Sequence, residues 1–179
     1  RPDDFDPAFA LYRWSPEETL AALQPLLEAP LRPDRLPVTV GAPLTFLGYR
    51  LQGEPGAGES LTLLTLWRVD APLPPDRAAV LFAQLLDGQN RVVAQQDRLD
   101  APSWQWQPGD RFLQVHRLTL PADLPPGTYT LIAGVYTVPD RVDAVLAGHE
   151  PDPAMPRLTV YAEGKPMDDH LTLRLIEVR

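Results

Sequence analysis

Residues 104–138 read WQWQPGDRFLQVHRLTLPADLPPGTYTLIAGVYTV, and their order decides the fold class. Trp104 and Trp106 precede a Pro108-Gly109 turn, and a strand-like run, Arg111 to Leu120, follows. A second turn, Leu124-Pro125-Pro126-Gly127, leads into the alternating run Thr128 to Val138. Proline presets φ and glycine permits unusual φ where a chain reverses, while aromatic and β-branched side chains suit a pleated, half-buried surface. This punctuation predicts antiparallel strands joined by tight turns.

The pattern extends in both directions. Upstream, Leu44 to Gln52 reads as a strand with Leu47, Tyr49 and Leu51 on one face, followed by a turn at Gly53 to Gly58. Ser60 to Val69 is apolar on both faces around Trp67, which predicts a central strand. After a proline-rich connection, Ala79 to Asp87 and Arg91 to Gln96 form a hairpin through Asp87-Gly88-Gln89-Asn90. Downstream, 139–156 reads as a long loop with one helical turn at 142–146, then strands at Arg157 to Ala162 and Leu171 to Val178. Seven to eight short strands without alternating β and α units predict an all-β fold, an antiparallel immunoglobulin-like sandwich over residues 44–179.

Residues 1–43 read as an extension packed on that sandwich. Ser15 suits an N-cap, Pro16 the first helical position, and Glu18 completes a capping box. Leu20, Leu23 and Leu27 share one helical face, and Pro25 predicts a kink or an end. The stretch 30–43, with four prolines, reads as a linker or an extended edge.

Composition narrows the function classes. The chain has 179 residues, 44% of them hydrophobic, which supports one folded domain. Its net charge of −8 argues against nucleic acid as a partner, because phosphate counterions are displaced by a cationic footprint. Cysteine is absent, so disulfides and thiolate chemistry are excluded. No apolar run is long enough to span a bilayer. The chain begins at Arg1 with no signal peptide in view, and so reads as an excised fragment or mature form from which any anchor could have been removed.

The catalytic vocabulary is thin. No Gly-x-Ser-x-Gly elbow surrounds Ser15, Ser60 or Ser103, and no phosphate-binding glycine loop occurs. His116, His149 and His170 lack metal-ligand spacing, and mid-strand His116 is expected to be a partly buried hydrogen-bonding residue. Two clusters, Asp3-Asp4-Asp6 and Asp168-Asp169-His170, carry oxygen ligands of the calcium type but no EF-hand pattern, and read as solvated charge. No catalytic residue, metal or cofactor is therefore assigned. Trp104 and Trp106 remain as candidate ligand-binding residues. Two apart in an extended segment, they would point the same way, to stack on sugar rings or to cap the end of the sandwich.

The ordered series Leu47-Gly48-Tyr49, Leu66-Trp67, Phe82 to Asp87, Arg91 to Gln95, Trp106 to Asp110, Leu120 to Tyr129 and Gly134-Val135-Tyr136 resembles a known domain. It is similar to the extracytoplasmic β-sandwich at the C-terminal end of bacterial membrane glycosyltransferases of the dolichyl-phosphate-mannose–protein mannosyltransferase type, as in Chloroflexi-like bacteria. The resemblance spans roughly residues 44–138 and implies an accessory domain outside the membrane, with the glycosyl-transfer residues elsewhere. Two positions depart from it. Such domains often carry histidine where this chain has Gln84 and aspartate where it has Gln114; if the two face each other, an ionic contact has become an amide contact.

The expected function is thus a non-catalytic, extracytoplasmic module of a membrane glycosyltransferase-like protein that binds glycan or a protein partner. Two alternatives stand beside it: a purely structural or interaction domain, and a glycoside hydrolase with an unrecognised carboxylate pair.

Overall fold

In the computed structural model, residues 16–32, 35–140 and 154–179 are described. The Ser15 cap, the Asp3-Asp4-Asp6 cluster, the turn at 142–146 and His149 lie outside the described residues. Among the described residues there are ten strands: β1 Val38–Val40, β2 Leu44–Gln52, β3 Ser60–Val69, β4 Arg77–Leu86, β5 Val92–Arg98, β6 Arg111–Thr119, β7 Gly127–Pro139, β8 Val160–Ala162, β9 Lys165–Asp168 and β10 Leu171–Val178. Hydrogen bonds order them as a six-stranded sheet, β6-β3-β2-β1-β8-β9, and a four-stranded sheet, β10-β7-β4-β5. All pairings are antiparallel.

The connectivity is immunoglobulin-like. Strands β2, β3 and β6 occupy the A, B and E places of one sheet, and β5, β4, β7 and β10 the C′, C, F and G places of the other. Near the start of β7 the Tyr129 hydroxyl donates to the Pro125 carbonyl at 2.8 Å, the tyrosine corner of such sandwiches. Alternation drives the assembly. Leu81, Ala83 and Leu85 of β4 and Leu131, Ala133 and Val135 of β7 face the core, meeting Phe46, Leu61, Leu63 and Trp67 of the other sheet. Phe46 and Trp67 meet edge to face at 4.9 Å between centroids.

Two short strands were not expected. The proline-rich 30–43 stretch holds β1, which lies inside the six-stranded sheet between β2 and β8. Val38 and Val40 both point into the core, but three residues between prolines leave too short a period to recognise. Strand β9 is exposed at every position, so no alternation marks it.

The helix α1, Pro16–Leu23, ends before Pro25 and continues as a 3-10 turn, Gln24–Leu26. The chain then becomes a strap across the side of the sandwich. Glu28 exchanges backbone hydrogen bonds with Tyr49 of β2 at 2.7 and 3.1 Å, and the Leu31 and Arg32 amides donate to the Leu173 and Thr172 carbonyls of β10. Beneath it, the Tyr49 hydroxyl lies 3.1 Å from the Leu173 carbonyl and 3.3 Å from Glu28 Oε2, and its one proton serves either. Burial, with the Glu28 charge, pushes this phenol up to about 12. A β-bulge between Phe46 and Gly48 shapes β2 for the strap. Gly48 has φ +135°, and a Cβ there would sit 2.8 Å from Leu27 Cβ, so the strap needs glycine at this point.

The opposite side is closed by side chains. Gln96 Oε1 of β5 accepts from the Arg117 amide on the edge of β6 at 2.7 Å. Gln114 accepts from the Asp100 amide at 2.9 Å and donates to Asp100 Oδ2 and the Val115 carbonyl. Deeper in the same seam, His116 is 1% exposed, more buried than the sequence suggested. Its Nε2 lies 3.2 Å from the Leu81 carbonyl of β4, tying the two sheets together, while Nδ1 has no partner.

That geometry makes stability depend on pH. Burial lowers the proton affinity of His116; the Leu81 hydrogen bond and the Asp100 and Asp97 charges oppose this without cancelling it. The unfolded chain, with its imidazole near pKa 6.5, therefore binds the proton more readily than the folded one. The contribution is fully present above about pH 6.5 and declines as pH falls toward the lower folded value. Urea midpoints at pH 7.5, 6.5 and 5.5 should fall more steeply for wild type than for His116→Gln. Parallel declines would show that His116 does not carry the effect.

Candidate functional site

The two tryptophans do not form a platform. Ser103–Gln105 is a 3-10 turn rather than an extended segment, and it turns the indoles apart. Trp106 is 8% exposed, stacks on Phe112 at 5.2 Å and donates from Nε1 to the Ala101 carbonyl at 3.1 Å. Trp104 is 67% exposed. Ser103 is also structural, since its Oγ accepts from the Ala79 amide at 3.0 Å.

A different group of side chains converges on the outer face of the four-stranded sheet. The period of two that sends Leu81, Ala83 and Leu85 inward sends Phe82, Gln84 and Leu86 outward, beside Ile132 and Tyr136 of β7. Phe82, Leu86 and Ile132 form a second apolar cluster, with Tyr136 against it. Gly134 pairs with Phe82, and the missing side chain leaves room for the ring. Residues 156–158 then extend the edge of β7 beyond the start of β10, through Thr137 N to Pro156 O and Leu158 N to Val135 O. This lays the Arg157 guanidinium over the Phe82 ring at 4.5 Å.

Around that floor the polar groups are linked. Arg157 donates to Gln84 Oε1 at 3.4 Å and pairs with Asp169 at 3.5 Å, while Gln84 Nε2 donates to Gln95 Oε1 at 3.4 Å. His170 Nδ1 lies 2.7 Å from Asp169 Oδ1 and 3.3 Å from Asp168 Oδ1. Burial works against ionisation of Asp169, but the His170 hydrogen bond and the Arg157 charge prevail and hold its carboxyl below the ordinary range. At the far end Tyr136 donates to Asp97 Oδ2 at 3.0 Å, and burial with that bond pushes the phenol up. A groove of about 480 Å³ runs along this face between the Asn90 turn and the Asp168–His170 turn.

The chemistry available here is recognition by planar hydrogen-bonding groups. Asp168, Asp169 and His170 place their ligand atoms within 4.8 Å of one another, the geometry a cation would need. Arg157 already pairs with Asp169, however, and the imidazole Nδ1 is engaged by both carboxylates. The two aspartates sit on one turn around one imidazole, not on opposite sides of a cleft as the pair of a glycosidase must. Gln84 and Gln114 do not face each other either: Gln84 belongs to the groove, and Gln114 to the β5–β6 seam, bound to Asp100.

The groove was not read from the sequence. A glutamine between Phe82 and Leu86, and a glycine amid the apolar β7, were its local signs. Arg157 reaches Gln84 from 73 residues away, which no local pattern reveals.

No family model matches the chain, and no curated protein does. Nineteen solved chains match it. One is the crystal structure of the C-terminal domain of Wzt, at 13% identity and a TM-score of 0.51, covering 88% of this chain and 84% of that one. This chain is similar to that domain in fold. At such identity the likeness concerns architecture alone, a β-sandwich of two antiparallel sheets. The resemblance to glycosyltransferase-associated domains rests on the order of its motifs.

Proposed function

We propose that this domain is a non-catalytic glycan-binding module, and that the groove on the outer face of the four-stranded sheet is its site. The observation that carries the reading is the linked set Gln84, Arg157, Asp169 and His170 around an apolar floor of Leu86, Val92 and Ile132. A sugar ring offers hydroxyls at its rim and C–H groups on its faces. Amide, guanidinium and carboxylate groups can donate and accept toward adjacent hydroxyls, while the apolar floor suits a C–H face. The groove falls within the size range of small-ligand sites.

The motif order extends the proposal. We place the module outside the cytoplasmic membrane, as an accessory part of a membrane glycosyltransferase-like protein. The full reading frame tests this directly: upstream membrane spans and a transferase domain support it, and their absence opposes it.

The exposed Trp104 favours a second location, at the end of the sandwich. A glycan array followed by calorimetry on wild type, Gln84→Ala, Arg157→Ala and Trp104→Ala separates the two. Arg157→Ala should weaken binding about tenfold or more, as expected when a hydrogen bond involving a charged group is lost, and Gln84→Ala, which removes neutral hydrogen bonds, by several-fold. Trp104→Ala should bind as wild type does. Loss confined to Trp104→Ala would move the site to the sandwich end, and no binding to any glycan would sink the proposal.

A further inference from the structure

The charges of the groove bear on which glycans it admits. Among the described residues its lining includes a single arginine, Arg157, against two carboxylates, Asp168 and Asp169, with His170 between them. An acidic sugar needs a guanidinium or ammonium free to form charge-assisted hydrogen bonds. Arg157 is not free. It is paired with Asp169, bonded to Gln84 and laid flat over Phe82. At the other end Arg91 is held by Asp87, with guanidinium and carboxylate 2.7 Å apart at the β4–β5 turn. Asp97 adds a further carboxylate beside Tyr136.

We infer that the groove selects uncharged glycans and rejects acidic ones. The inference rests on the glycan-binding reading and names the ligand class of the same site. An incoming carboxylate, sulfate or phosphate meets Asp168, whose side chain is 56% exposed, while the arginine of the described lining is already paired with Asp169. The net charge of −8 adds a long-range field of the same sign. Specificity here is built from repulsion as much as from attraction. Hydroxyl-rich neutral units meet no such penalty, because their hydroxyls can donate to the Asp168 and Asp169 carboxylates, which an anionic group cannot do.

The test uses matched oligosaccharides of one length: oligomannose, oligoglucose and oligogalactose against oligomannuronate, oligoglucuronate and oligogalacturonate. Titrations run at low and at physiological salt. A neutral ligand should bind at least about tenfold tighter than its uronate counterpart at low salt, and the gap should narrow as salt screens the repulsion. Asp169→Asn, which releases the guanidinium, should raise uronate affinity several-fold. The exposed Asp168→Asn should do so to a smaller extent. Thermal unfolding confirms that both variants fold. Uronates binding as tightly as neutral sugars to wild type would overturn the selectivity and leave the glycan reading standing. Binding of neither series would overturn both.

Discussion

Replacing Trp67 with alanine lowers the unfolding free energy by about 3–5 kcal/mol, the largest loss expected from a single substitution described here. The indole is 1% exposed and lies in β3, hydrogen-bonded to β2 on one side and β6 on the other. It meets Phe46 edge to face, and its Nε1 donates to Thr65 Oγ1 at 2.8 Å. Truncation therefore removes apolar contacts, opens a cavity between the sheets and leaves the buried Thr65 hydroxyl without its donor. A domain of this size has about 5–15 kcal/mol in all, so the variant should unfold at a markedly lower urea concentration with a similar slope. A midpoint within experimental error of wild type would mean that the two sheets do not depend on this ring.

Gly134→Ala should cost about 1–3 kcal/mol and also damage the groove, a pair of effects that a purely structural site would not link. The backbone at Gly134 is unremarkable; space is the issue. A Cβ there would lie 2.5 and 2.7 Å from Cζ and Cε1 of Phe82, closer than carbon atoms can approach. The ring must then leave the position over which Arg157 lies at 4.5 Å, and Arg157 holds Gln84 and Asp169. Loss of glycan affinity by about tenfold should accompany the loss of stability. A Phe82→Leu background provides the control. With a smaller side chain opposite, the added methyl should cost less, and the double-mutant cycle should show coupling of about 0.5–3 kcal/mol. Additive effects would mean that the two residues do not share the space.

The sandwich was legible because its long strands obey simple rules. β2 and β3 begin and end at the expected residues, and β6 and β7 differ from expectation by one residue at their ends, since turns rich in glycine and proline bound clear alternation. β1 and β9 escaped because three or four residues give no measurable period, although β9 pairs with the neighbouring β8 and β1 with the neighbouring β2. The expected common direction of the two indoles fails for a definite reason. Spacing of two aligns side chains only in an extended chain, and Ser103–Gln105 turns instead. The groove could not be assembled from local signals, as it draws on β4, β5, β7, the 156–158 segment and the 168–170 turn.

The strap at residues 28–32 has a consequence for solubility. An unpaired strand edge is a template on which another chain can add, and such edges are the usual starting points of self-association. Here the amide and carbonyl of Tyr49 and the carbonyls of Thr172 and Leu173, which would offer such a template, are occupied by the chain's own earlier residues. The segment that looks like a dispensable lead-in thus acts as a sheath, keeping one molecule from recruiting the next.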